Sequence, residues 1–350
     1  MLPFDQNYLI KGATIILCKL FASCFLLSLS ALLVAGEQGE VLLDQRSRAE
    51  ADSQRAEKTV QEKALGLIDN VHASLSGRLI ATSNYIDNFF VNARMDEEGS
   101  KSKVLFSYVA GYDVFRGGSS TYSLRAQLHL PKTQRRLRFI IDGDEARNDA
   151  ENNIEQAGNI SRIEELKAAL QYIFLNSKVW RVSANTGVRF EIPLDPFAKL
   201  RIRRLFFVGG LTFRLTQSVF YFKSDGWGGT GILDIEKPLS DIYFFRSSSR
   251  ITAMRDSGER AFSQSWSVFQ DMGNKKLMAY TLGMNADLTS PAVTTLYFMK
   301  MRYRYNFYKK WAFYEIAPAL SFDRDNDFSP SPGVIVKLDI VFGGQEAKAQ

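Results

Sequence analysis

From about residue 101 onward, polar and apolar side chains alternate one by one along the chain. In Val334–Phe342, the residues Val334, Val336, Leu338, Ile340 and Phe342 share one face of an extended strand, and Lys337 and Asp339 share the other. In Tyr297–Tyr305, Lys300, Arg302 and Arg304 alternate with Met and Tyr. In Tyr122–Leu130, Arg125, Gln127 and His129 do the same against Tyr122, Leu124, Leu128 and Leu130. Such runs extend over about 10 to 14 residues, where soluble strands average about 5 or 6. A tilted membrane-crossing strand needs about 9 to 11. The pattern predicts an all-β membrane protein, an antiparallel transmembrane barrel with one greasy and one polar face on every strand. Charged residues at 23% and hydrophobic residues at 45% fit that class, because only every second side chain of a barrel meets lipid.

The alternation resolves into segments at 102–114, 120–130, 135–144, 164–175, 179–190, 198–207, 211–223, 229–237, 241–252, 261–271, 276–287, 294–307, 311–323 and 333–342. They predict a barrel of about 14 strands, an even number that returns both ends of the barrel to the periplasmic side. Alternate connections then have to be tight turns. Candidates stand at Pro131–Gln134, Asn176–Lys178, Val208–Gly210, Lys237–Ser240, Met272–Lys275 and Tyr308–Lys310. The other set holds the long stretch 145–163 and the polar loops Arg255–Arg260 and Arg324–Pro332, which suit the outer surface. A 12-stranded barrel follows instead if the first two segments lie outside it. Aromatics flank both sets of turns: Trp180, Phe206, Phe207, Tyr243, Phe307, Tyr308, Trp311 and Phe313 at one rim, Tyr221, Phe222, Trp227 and Phe322 at the other. Two interfacial girdles would place them there, although Phe and Tyr are good strand residues in their own right.

Ahead of the barrel the chain divides again. Residues 1–36 read as a cleaved signal peptide: Lys11 and Lys19 supply positive charge, Leu20–Ala35 is apolar, and Gly36 leads into polar sequence. As an uncleaved anchor that run falls short of the roughly 20 residues a spanning helix needs. Both cysteines, Cys18 and Cys24, lie within the signal region, so a cleaved chain has no thiol. Residues 37–100 predict a periplasmic helical segment. Its first half, Asp44–Lys63, is polar all round, and then Leu65, Ile68, Val71, Leu75, Leu79, Ile86, Phe89 and Phe90 recur at helical spacing. That stripe needs cover, from a second copy of itself, from the barrel rim or from another protein. The barrel spans 101–344, and 345–350 is a C-terminal tail.

Four stretches carry a family resemblance: Leu130-Pro131-Lys132-Thr133-Gln134-Arg135-Arg136-Leu137-Arg138, Pro193-Leu194-Asp195-Pro196-Phe197, Phe313-Tyr314-Glu315-Ile316-Ala317-Pro318, and the closing Val341-Phe342-Gly343-Gly344. Through them the chain, from about Ile86 to Gly344, resembles a family of uncharacterised bacterial outer-membrane β-barrel proteins. These are turn and strand patterns without catalytic signatures, so the resemblance implies the fold and no activity.

Strand parity assigns an inward set. Its basic members, the pore-lining candidates, are Arg125, Arg138, Arg181, Arg189, Arg201, Arg203, Arg214, Arg246, Arg250, Lys300, Arg302 and Arg304, with Arg136 and Lys337 beside them. Its acidic members are Asp142, Asp234, Glu236, Glu315 and Asp339. Turned toward lipid, each basic side chain would cost about 2–4 kcal/mol near the midplane. The expectation is a porin-like channel with a net-basic lumen for small anionic or zwitterionic solutes. The competing expectation is a non-conducting structural barrel whose helix docks a periplasmic partner. No catalytic residue, metal site or cofactor is expected. A Ser/His site would have to use His129, because His72, the other histidine, lies in the helical segment. Asp323, Asp325, Asn326 and Asp327 lack the glycine and distal glutamate of a calcium loop. Expected partners are outer-membrane lipid and lipopolysaccharide, the barrel-assembly machinery through the strand ending at Phe342, and a periplasmic protein or a second copy through the 65–90 helix, with no nucleic acid. The expected location is the outer membrane of a Gram-negative bacterium.

Overall fold

The computed structural model describes residues 102–343 except 116, 130–135, 143–166, 191 and 310, together with helical residues 82, 83, 85–87, 89 and 90. The signal peptide, the 37–81 part of the helical segment and the C-terminal tail lie outside the described residues.

Fourteen antiparallel strands close into one barrel. They are β1 Lys103–Asp113, β2 Gly117–His129, β3 Leu137–Asp142, β4 Lys167–Asn176, β5 Trp180–Arg189, β6 Asp195–Val208, β7 Leu211–Phe222, β8 Gly226–Pro238, β9 Tyr243–Met254, β10 Arg260–Asp271, β11 Lys276–Asp287, β12 Val293–Tyr308, β13 Ala312–Asp323 and β14 Pro330–Gly343. Each pairs with its sequence neighbours, and β1 pairs with β14 from Lys103 opposite Gly343 to Asp113 opposite Gly333. Both of the first two segments are barrel strands, so the 12-stranded alternative falls away.

The closing seam is held from inside as well as by its ladder. The Ser107 hydroxyl donates to Asp339 at 2.5 Å, and the Ser331 hydroxyl donates to Asp113 at 2.8 Å. Both barrel ends lie at the same rim as the connections 177–179, 209–210, 239–242, 272–275 and 309–311. Short turns and chain ends mark the periplasmic side of such barrels. The tightest of these turns is Gly209–Gly210, with φ of 57° and 76°. Two successive positive φ angles give the turn whose twist matches the strands it joins, and glycine adopts them without strain.

The two faces separate as alternation predicts. Phe106, Tyr122, Leu124, Leu282, Met299 and Val336 are exposed on the outer face, while Ser107, Gln127, Arg302, Arg304, Glu315 and Asp339 on the opposite parity are buried. A closed sheet with its charges inside and its large apolar groups outside is a transmembrane barrel, because closure leaves no strand edge unpaired in hydrocarbon. Some polar groups break the outer pattern, among them Arg204, whose guanidinium lies over the Trp180 and Phe206 rings. Ser247, Ser249 and Gln264 lie on the lipid-side parity of β9 and β10 and satisfy one another: the Ser249 hydroxyl donates to the Gln264 carbonyl oxygen, and the Gln264 amide donates to Ser247 at 3.0 Å.

Several expectations shift at their edges. β6 begins at Asp195 rather than 198, because Asp195 sits opposite Arg189 and accepts its Nε–H at 2.9 Å. Arg136 precedes β3 and is exposed, but its carbonyl accepts from the Ile173 N–H at 2.9 Å, which keeps it on the inward parity of Arg138 at the rim. Phe222 and Phe313 face inward and are buried, so neither belongs to an interfacial girdle.

Candidate functional site: the lumen and the helix within it

Many of the basic and acidic side chains picked out by parity fall into two arcs of the inner wall. On β12–β14 the charges interlock. Arg302 grips Glu315 through two hydrogen bonds of 2.7 and 3.0 Å. Arg304, fully buried, reaches Glu315 at 3.3 Å and Asp339 at 2.6 Å, and Lys337 lies 3.6 Å from Asp339. Burial of so many charges is tolerable only with such pairing and hydrogen bonding. Lys300 is buried on the same face of β12.

The arc β5–β7 has a different composition. Arg181 lies opposite Arg203 across the β5–β6 ladder, and Arg201 stands two residues before it on the same face. Arg201 donates to the Ser218 hydroxyl at 3.3 Å. Arg214 faces inward from β7, opposite Asp234 of β8. Lys199 shares the parity of Arg201, and Lys167 is buried on the inner face of β4. These two lysines were not among the expected inward residues, although Lys199 is legible from its two-residue spacing to Arg201. The acidic residue inside this arc is Asp195, bound to Arg189 at its far end. Like charges directly opposite on a sheet repel each other, so Arg181 and Arg203 stand in a pairing that the ladder itself does not favour. Arg125 and Arg138 are buried on β2 and β3, and Arg250 is half-buried on β9. Of His129 and Asp142, the structure describes the backbone only.

The helix expected ahead of the barrel enters the lumen at residues 82–90. Ser83, Ile86, Asp87 and Phe90 occupy one helical face, and all four are buried. Phe90 is 0% exposed. Its ring lies 5.7 Å from Phe269 and 4.5 Å from the Arg302 guanidinium. Phe89 meets Phe313 edge to face at 5.7 Å. Together with Ile86 they join Phe244, Leu277 and Ala279 in one apolar cluster. All of these wall residues stand within a few positions of the periplasmic turns, which fixes the height of the helix at that mouth.

The polar part of the contact centres on Arg246. Its Nη1 binds Asp87 at 2.8 Å, its Nη2 donates to the Ser83 hydroxyl at 3.1 Å, and its Nε binds Glu236 of β8 at 2.8 Å. One guanidinium therefore joins two carboxylates, one from the wall and one from the helix. A further tie comes from Tyr85, whose hydroxyl hydrogen-bonds the Asp271 carboxylate; burial and that neighbouring negative charge hold the phenol above its ordinary value. The sequence stripe flagged Ile86, Phe89 and Phe90 but missed Ser83, Tyr85 and Asp87. The available sign was a carboxylate one residue after Ile86 and three before Phe90, on the apolar face where a solvated helix would have no use for it.

No family model matches the chain, and no curated protein is similar to it in sequence. Its structure is similar in fold to solved outer-membrane barrels. A structure described as the CymD monoaromatic hydrocarbon channel is 6% identical, with a TM-score of 0.45 over 74% of this chain and 93% of that one. An anion-selective porin from Comamonas acidovorans is 11% identical, with a TM-score of 0.42 over 69% of this chain and 100% of that one. The outer membrane channel DcaP of Acinetobacter baumannii is 8% identical, with a TM-score of 0.40 over 69% and 96%. Identities this low compare folds and nothing finer. The closed wall, the apolar outer belt and the charged interior make this chain a transmembrane β-barrel of the bacterial outer-membrane kind.

Proposed function

We propose that the protein is a porin-like channel for small anionic or zwitterionic solutes. The observation that carries this reading is the arc β5–β7, where Arg181, Lys199, Arg201, Arg203 and Arg214 face the lumen from three adjacent strands. A low-dielectric wall lined by one sign of charge focuses its field into the enclosed water and concentrates counter-ions there. The opposite arc, β12–β14, gathers Arg302, Arg304 and Lys337 on Glu315 and Asp339, so its carboxylates offset more of its positive charge. A solute crossing the barrel would travel along the basic side.

Purified protein in planar bilayers under a potassium chloride gradient tests this directly. The reversal potential is expected on the chloride side of zero. A potential on the potassium side would remove the reading.

A further inference from the structure

We propose that the 82–90 helix is a gate on this channel, held shut by Arg246 and by the Phe89–Phe90 wedge, and that its release opens the periplasmic mouth. The inference rests on the channel reading above and adds its regulation.

Three observations carry it. First, the fourteen strands close the barrel without the helix, so the wall does not need the helix for its own hydrogen bonding. Second, the wall provides an apolar patch for it. Phe244, Phe269, Leu277 and Phe313 face inward at the periplasmic mouth, whereas inward positions higher on the same strands are polar or small, among them Ser248, Ser265, Thr281, Ala317 and Ala319. In a mouth filled only with water that patch would be exposed hydrocarbon; Ile86, Phe89 and Phe90 cover it. Third, the docking face mixes apolar side chains with a polar latch. Arg246 binds the wall carboxylate Glu236 at 2.8 Å as well as Asp87. A helix whose ion pair is shared with a wall carboxylate can leave without stranding a bare guanidinium in the wall, which permanent packing would have no need to provide.

Release would also alter the conduit chemically. It uncovers Arg246 and Arg302, which now contact the helix through Asp87 and Phe90. The described contacts of the helix are with wall residues of β9–β13, with Val341 of β14 packed against the cluster. The gate therefore narrows the mouth from the side away from the β5–β7 cations.

The test compares wild type, Asp87→Asn and Phe90→Ala as full chains in planar bilayers. Heat-modifiable gel migration first confirms that each barrel is folded. Neither substitution touches a wall strand, and Asp87→Asn keeps the side-chain shape. The expected result is a mean current per channel raised at least about tenfold in Phe90→Ala, with a smaller rise in Asp87→Asn, as closures shorten. A wild-type current that neither substitution changes would overturn the gate and leave the channel standing. No current from any of the three would overturn both, because there would be no passage to close.

Discussion

Replacing Arg246 by methionine should release the helix far more readily than removing either of its carboxylate partners. The guanidinium is bound on three sides, by Asp87, Glu236 and Ser83, and it is almost completely buried. Methionine keeps much of the volume but leaves two carboxylates facing each other with no cation between them. Breaking a buried pair by removing one partner costs about 3–5 kcal/mol, which corresponds to a rise of roughly 100- to 4,000-fold in the helix opening constant, at about 1.4 kcal/mol per factor of ten. The strain has an outlet. Asp87 can leave for water with the helix, while Glu236 stays on β8 and is wetted through the vacated mouth. Most of the loss should therefore fall on helix docking and not on barrel stability. Asp87→Asn removes only one charge, and Arg246 remains neutralised by Glu236, so its cost should be about 1–2 kcal/mol. Amide hydrogen exchange of peptides covering 83–90, with barrel peptides as the internal control, separates these cases. Protection of the helix in Arg246→Met within about threefold of wild type would refute the reasoning. So would an equal loss from helix and strands, because the charges would then be supporting the wall itself.

Three further outcomes follow from other parts of the structure. Gly187 faces the lumen from β5, and a Cβ there would stand 2.1 Å from the Ala168 carbonyl oxygen, so Gly187→Val should lower the yield of folded, heat-modifiable barrel; a wild-type yield would contradict the close approach. Gln264→Ala removes the shared partner of Ser247 and Ser249 on the lipid side and should cost about 1 kcal/mol in urea unfolding from lipid vesicles, whereas replacing all three by alanine should recover most of it. The Tyr85 phenol is raised, so its contribution to helix docking is complete below the ordinary tyrosine value of about 10 and is lost as pH rises through the higher bound value. Conductance should increase over that alkaline limb in wild type, and the limb should be missing in Tyr85→Phe.

What was legible in the sequence was the wall. A period of two is a local property, so the facing of Lys337 and Asp339, or of Arg302 and Arg304, could be read without knowing any partner. The strand count followed from the turns, because tight connections such as Gly209–Gly210 have their own chemistry. Pairing of charges was not legible in the same way. Arg304 bonds Asp339 across two strand intervals, and Ser107 bonds Asp339 across the closing seam between the first strand and the last. Nothing at residue 107 announces residue 339. The charged residues of the inner face could therefore be named in advance, but which of them interlock needed the register.

The helix shows the same limit from the other side. Its apolar stripe was visible, and a stripe without cover states that a partner exists without naming it. The partner was in fact written into the barrel. Phe244, Phe269 and Phe313 stand at inward positions near the periplasmic turns, where parity alone would place water and where Ile86, Phe89 and Phe90 cover them. Two anomalies of opposite kind, apolar rings on the wet face of the strands and a carboxylate on the dry face of a helix, answer each other through Arg246 and Phe90. Read separately, each looks like noise in an otherwise regular pattern. Read as a pair, they locate the helix inside the barrel. The general consequence is that inward aromatics clustered at one rim of a barrel sequence should be matched against any amphipathic segment upstream before the lumen is taken to be open.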